Sequence, residues 1–193
     1  MAALPQELWQ AYDELGEPLA GVSLTKQQAR QGVLHGAAHV WIWRGQGAGI
    51  EILLQRRARD KHTWPGHLDI SAAGHIDFGE TALAAAIRET REESTLAVQA
   101  EDLRLLFVHR AKLQDAATGT IENEFQWVYG SRIVELGETR LQRREVESLQ
   151  WMPLADFKQL ASQEKIQKKT DLIVPHGNAY FAELLKEIVR VQA

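Results

Sequence analysis

Apolar and polar residues alternate with a period near two over several short stretches and near 3.6 over three others, and the change of period divides the chain into elements. Residues 6–24 (QELWQAYDELGEPLAGVSL) alternate loosely around Asp13-Glu14-Leu15-Gly16, which predicts two short strands joined by a turn. A polar segment from Thr25 to Gly32 leads to AAHVWIW (37–43), rich in the β-branched and aromatic residues that strands favour. RGQGAG (44–49) turns the chain back into IEILLQRR (50–57), a second hairpin. The polar stretch 57–70 stiffens at Trp64-Pro65-Gly66, and LDISAAGHI (68–76) supplies a strand whose small side chains permit close backbone approach. LRLLFVHRAKL (103–113), a turn from Asp115 to Gly119 and TIENEFQWVYGSRIV (120–134) predict a third strand pair.

The helical period appears in three places. Between Glu80 and Glu93 there is no Gly or Pro, and Ala, Leu, Ile, Arg and Glu dominate, so helix propensity is high throughout. Residues 147–163 read as a short strand turning at Pro153 into a helix, and Tyr180, Phe181, Leu184, Leu185, Ile188 and Val189 line one face of a helix between Gly177 and Val191. No repeat, low-complexity tract or linker interrupts the chain. Helices interspersed with hairpins predict an α/β sandwich with a mixed β-sheet, one domain over residues 1–193 with an N-terminal hairpin extension in 1–32.

Composition narrows the function classes. With 45% apolar residues, 25% charged residues and a net charge of −4, the chain reads as an ordinary globular protein whose scattered basic residues do not form a surface for a nucleic-acid polymer. The absence of cysteine removes disulfides, thiolate metal sites and thiol nucleophiles. Early acidic residues and the lack of a long apolar run argue against a leader or membrane span, so the cytoplasm is the expected compartment. Self-association into a homodimer stays open.

The chemistry concentrates in acidic residues. On the predicted helix, Leu83, Ala86, Ile87, Thr90 and Ser94 fall on one side, and Glu89, Glu92 and Glu93 on another roughly 120° away. Carboxylates three and four residues apart repel one another, which a solvated face tolerates and a hard cation such as Mg²⁺ or Mn²⁺ relieves. Glu80 precedes them, and Glu51 joins only if its strand lies alongside. Farther on, Glu122 and Glu124 flank Asn123 and share one face of a strand, which suits either a second pair of metal ligands or a solvent-facing edge.

The spacing Gly74, five residues, Glu80, seven residues, Arg88-Glu89, two residues, Glu92-Glu93 resembles the Nudix box, with Leu96 as its final aliphatic position. Thr90 stands where an aliphatic residue is usual and Thr95 where the terminal glycine is usual. The order of hairpin, QRR strand, Trp-Pro-Gly loop, Gly-His strand, box helix, Glu-Asn-Glu strand and a W-x-x-L turn into a helix is similar to the Nudix branch of type I isopentenyl-diphosphate isomerase and its hydrolase relatives. The resemblance implies a Nudix-type α/β/α sandwich and a Mg²⁺- or Mn²⁺-dependent enzyme acting on a small-molecule diphosphate. In that reading Glu89, Glu92, Glu93, Glu122, Glu124 and His75 hold metal, with His35 beside them, and Gly74, Glu80 and Arg88 are structural parts of the box. Arg88 pairs internally with a glutamate, and Glu80 binds metal through water or orients its neighbours. The general base is Glu92 or Glu93, with Glu124 as the other candidate.

Arg56, Arg57 and Lys61 could take phosphate oxygens or simply face solvent, and Trp41, Trp43, Trp64 and Phe78 could stack a base or pack the core. His39, His62, His67, His109 and His176 read as ordinary histidines. The isomerase is expected to carry a cysteine before the Gly-His pair, where this chain has Ala73, so one of the two groups that alkene isomerisation needs is missing. The expected function is therefore hydrolysis of a diphosphate linked to another moiety, with a nucleoside diphosphate derivative favoured. An isomerase with a different acid–base pair and a non-catalytic phospholigand-binding domain are the alternatives.

Overall fold

The computed structural model describes residues 7–94, 96–133, 137, 140–162 and 172–191. Its organising element is β3 (His35–Arg44), which is buried along almost its whole length. One edge of β3 pairs in parallel with β8 (Ile121–Arg132), from His35↔Glu124 to Trp43↔Arg132. The other edge takes three partners in succession, all antiparallel. β1 (Leu8–Tyr12) meets it at His35, β6 (Ala72–His75) at residues 37–40, and β4 (Glu51–Arg57) at residues 42–44. The mixed sheet is completed by β2 (Pro18–Thr25) on β1, β5 (Leu68–Asp69) and β9 (Val146–Pro153) on β4, and β7 (Arg104–Gln114) on β8.

LDISAAGHI, read as one strand, is therefore two, because β5 follows β4 while β6 follows β3. Ser71 sits at the fork. Its hydroxyl accepts from Ile42 N (2.8 Å) and donates to Leu53 O (2.6 Å), which satisfies backbone groups exposed where the strands part. The polar segment after β2 also differs from its reading, since it forms a short helix, α1 (Lys26–Arg30). Thr25 caps it and Gln28 reaches back to the Thr25 amide, the reciprocal pair of a capping box.

Alternation along β3 divides the core. Ala38, Val40 and Ile42 face α2 (Ala82–Ser94) with Ala85, Ala86 and Ile76, whereas Trp41 and Trp43 face α3 (Leu154–Ser162) and α4 (Asn178–Arg190) with Phe157, Tyr180, Phe181, Leu184 and Ile188. The expected α/β/α sandwich is thus present, and Trp41 and Trp43 belong to its core. Thr90 packs with the apolar side of α2 and turns its hydroxyl back to Ala86 O (2.7 Å), so a polar group is buried there at no loss of hydrogen bonding. Thr95 lies outside the described residues. Among those described, no helix is long and apolar enough to cross a membrane.

The second core is closed at Gly130, where an added Cβ would lie 2.7 Å from the Trp43 ring and 3.0 Å from Leu106 Cδ1. Gly130→Ala is expected to cost about 1–3 kcal/mol of stability through overpacking. Urea denaturation checks this, and an unchanged midpoint would show that the indole relocates freely.

Candidate active site

The turn between β6 and α2 is built by contacts that need small residues and one arginine. A Cβ at Gly74 would lie 2.0 Å from Glu89 Cδ, so the Glu89 carboxyl occupies space that only glycine leaves open. Arg88 then gathers the turn. Its guanidinium donates to Glu80 (2.8 and 3.0 Å), to Glu89 Oε1 (2.5 Å) and to the carbonyl of His75 (3.0 Å). Glu80 Oε2 accepts in addition from Asp77 N (3.1 Å). Arg88 and Glu80 thus form an internal ion pair that positions Glu89.

Glu93, one turn farther along α2, does not lie on an open face. It is 6% exposed, and its Oε2 accepts from Ala73 N (3.1 Å) and Gln55 Nε2 (3.2 Å). Burial, followed by the charge of Glu89, raises Glu93 from an ordinary 4.5 to about 8. Burial also raises Glu89, to about 7, against the pull of Arg88. Glu92 is largely exposed, 3.7 Å from Arg88.

On the concave face of the sheet, the parallel register sets His35 beside Glu124, and alternation adds Glu122 on β8 and His75 on β6. Ligand atoms of these four residues all lie within 4.8 Å of one another. His35 Nε2 is 3.3 Å from Glu124 Oε1 and 3.8 Å from Glu122 Oε2, and His75 Nε2 is 3.5 Å from Glu124 Oε1. Burial alone would raise Glu124, but His35 and His75 outweigh it and hold the carboxyl well below the usual range. His35 is correspondingly raised by Glu124 despite its burial, while desolvation lowers His75 to about 4. The His75 ring stacks on Trp9 of β1, with centroids 3.5 Å apart and planes at 11°.

Both groups line a single cavity of about 440 Å³. Glu89, Glu92, Glu93, Glu122, Glu124 and His75 all border it, as do Arg57 and Lys61. These two cations are engaged already, Arg57 with Asp69 Oδ2 (2.9 Å) and Thr63 O, and Lys61 with Glu145. Arg56 instead turns to Gly66 O (3.0 Å) and does not line the cavity. Glu51 remains at the far end of the β3–β4 hairpin, 2.7 Å from Arg44. Trp64 borders the cavity, and Phe78 is exposed.

Several lining residues escaped the sequence reading. Lys26 and Arg30 arrive on α1, whose Thr25-x-x-Gln28 cap is a readable helix signal. Trp9, His39, Asp69, Gln126 and His176 arrive through long-range packing that no local pattern announces.

The donor set fits a divalent cation. His35 Nδ1 is 2.8 Å from Val33 O and donates there, so loss of the second ring proton, which Glu124 favours, would free the Nε2 lone pair for a cation. His35 Nε2 and Glu122 Oε2 are buried without a hydrogen-bond partner of their own. Across the cavity, burial raises Glu89 and Glu93 of α2, so a cation bound there would compete with protons.

Comparison with known proteins follows the geometry. A family model for the NUDIX domain matches residues 33–171. Nudix hydrolase 3 of Arabidopsis thaliana is 36% identical over 151 residues, 75% of this chain; the match occupies only 19% of that protein's length. The isopentenyl-diphosphate Delta-isomerase of Rhizobium rhizogenes is 29% identical over 171 residues, covering 86% of this chain and 79% of the isomerase. Among solved structures, the Deinococcus radiodurans protein DR0079 shares the fold with a TM-score of 0.62 at 20% identity, over 93% of this chain and 98% of that one.

Two outcomes follow from the box geometry. Gly74→Ala is expected to expel the Glu89 carboxyl and weaken Mg²⁺ binding by about 10- to 100-fold, read by calorimetric titration with the fold checked by circular dichroism. Between pH 6.5 and about 8 the native protein holds protons on Glu89 and Glu93 that the unfolded chain has released. The lowered His39 and His75 oppose this trend only below pH 6.5. The thermal midpoint of metal-free protein should therefore fall as pH rises through that window, and Mg²⁺ should restore it more at pH 8.5 than at 6.5. A midpoint that rises in EDTA would contradict the assignment.

Proposed function

The chain belongs to the NUDIX domain family, and on that footing we propose that it is a Mg²⁺-dependent pyrophosphohydrolase cleaving a diphosphate linked to another moiety, a nucleoside diphosphate derivative being the favoured substrate class. One observation carries the reading: the carboxylates of the box helix border the same cavity as His75, Glu122 and Glu124, with His35 buried behind these three. Bound there, a divalent cation would neutralise phosphate oxygens and polarise the phosphoanhydride. Glu89, Glu92 and Glu93 offer hard oxygens suited to Mg²⁺, and the two imidazoles broaden the choice toward Mn²⁺.

The remaining chemistry falls to the protein. Of the three candidate bases, Glu93 fits the role best. Its proton affinity is already lifted toward neutrality, as a base working near pH 7 requires, and both of its donors hold Oε2, which leaves Oε1 to take a proton from water. Glu124 is held too acidic by its histidines, and Glu92 stands largely exposed at the rim. Arg57 and Lys61 stand on the opposite wall, where they can exchange carboxylate partners for phosphate oxygens. In this reading residues 1–32 are a hairpin extension of one Nudix domain.

Isomerisation of an isoprenyl diphosphate is the second reading, favoured by the His–Glu cluster and by the relative that bears that name. Ala73, which carries no ionisable group, borders the cavity where a thiol is expected.

The test is phosphate or nucleotide release from a panel of diphosphates with Mg²⁺ or EDTA. Glu93→Gln is expected to lower kcat by about 10²- to 10⁴-fold with Mg²⁺ present. Conversion of isopentenyl diphosphate without phosphate release would favour the isomerase.

A further inference from the structure

The N-terminal hairpin reaches the metal-ligand cluster through one side chain. β1 pairs with β2 and touches β3 at Ala11↔His35, and it also lies against the turn that opens the box. Gln10 N donates to Ile76 O (2.9 Å), Phe78 N donates to Leu8 O (2.9 Å), and Gly79 N donates to Gln10 Oε1 (3.2 Å). These bonds fix β1 on both sides of Trp9, which pairs with Leu24 in β2 and bridges Asp77 in the turn. Trp9 shares a strand face with Ala11 and is 2% exposed, so its indole is held against the two imidazoles of the cluster.

The two imidazoles differ in what orients them. A histidine side chain has a broad preference about its second torsion, so a ligand ring needs a partner to keep its nitrogen aimed at a cation. His35 has that partner, because its Nδ1 donates to Val33 O (2.8 Å). His75 has no hydrogen bond at Nδ1 among the described residues, and its Nε2 faces Glu122 and Glu124 at 4.0 and 3.5 Å. Its ring rests instead on Trp9, with centroids 3.5 Å apart and planes 11° from parallel. His35 lies farther from the indole, at 5.5 Å and 26°.

Burial alone does not ask for this geometry. Rings of the core beneath α3 and α4 meet edge-on, Trp41 on Phe157 at 61° and Phe157 on Phe181 at 79°. Face-to-face overlap is the arrangement that two neutral rings favour least, because their negative faces meet. It becomes favourable when one ring is drained of electron density, as an imidazole is when its nitrogen binds a cation. The stack therefore suits His75 as a ligand better than His75 as a filler of space.

We propose that Trp9 is a positioning residue of the metal centre: its indole holds the His75 ring in the orientation that binds a cation, in place of the hydrogen bond that serves His35. The inference rests on the metal-binding reading of the His35, His75, Glu122, Glu124 cluster and adds to it a strand that lies ahead of the segment matched by the family model. Calorimetric titration of the full chain with Mn²⁺, which accepts imidazole and carboxylate alike, tests it, with thermal midpoints as the check on folding. Trp9→Met, which fills the space without a planar face, is expected to weaken binding about tenfold, and Trp9→Phe, which keeps a stacking face, to recover most of that loss. In a His75→Ala background Trp9→Met should change nothing further, since a residue that acts only through His75 has then lost its object. Indole emission is a second readout: Mn²⁺ should quench the native protein and quench Trp9→Phe much less. This comparison needs only the Phe variant and decides where Trp9→Met does not fold. A folded Trp9→Met protein of native affinity overturns the proposal, as does an equal loss in both backgrounds or a Trp9→Phe protein quenched in full. Native protein that binds Mn²⁺ nowhere overturns the metal reading itself, and the inference falls with it.

Discussion

A strand has two hydrogen-bonding edges, and the architecture follows from how β3 shares one of them. β8 occupies one edge from His35 to Trp43, so β1, β6 and β4 must take the other in turn. The succession forces β4 and β6 apart, and the separation is held by one hydroxyl, Ser71, standing in for the missing ladder. Where the strands diverge, backbone amides turn inward. One of them, Ala73 N, receives Glu93, which is how a helix on one face of the sheet delivers its carboxylates to a cavity on the other. The fork makes the site possible, and close packing at glycines makes it narrow.

Electrostatics gives the site its character. Carboxylates are concentrated where water is scarce, with too few cations to neutralise them, and the protein keeps the excess as bound protons on Glu89 and Glu93. Arg88 fixes the geometry without removing the excess, because it is shared among Glu80, Glu89 and a backbone carbonyl. Such a site is poised for exchange, with protons on one wall and a histidine–glutamate pair on the other, each displaceable by a stronger Lewis acid.

Legibility tracked sequence distance. The box was readable because its residues lie within 23 positions and act through one turn and one helix. Strand pairs, the two later helices and the sandwich were readable from periodicity. Glu122 and Glu124 were visible as a pair, but their meeting with His35 depends on a parallel register between strands 89 residues apart, which no local pattern encodes. The inner group of His39, Asp69, Gln126 and His176 is assembled from four separate segments, and each histidine alone looked ordinary. Arg56 and Arg57 read as a pair in the sequence, yet strand alternation separates them, and of the two Arg57 borders the cavity. The cap of α1 is present in the sequence, inside what reads only as a polar segment.

The stacking of Trp9 on His75 has a consequence for ancestry and kinship. The N-terminal hairpin lies ahead of the segment that the family model matches, yet Gln10 braces the box turn through Gly79 N and Trp9 forms a wall of the cavity. The box carboxylates and that wall therefore sit on separate pieces of chain. Two relatives could agree at every position of the box and still present different surfaces to the substrate, so likeness within the shared segment is a measure of common chemistry and a poor measure of common diet.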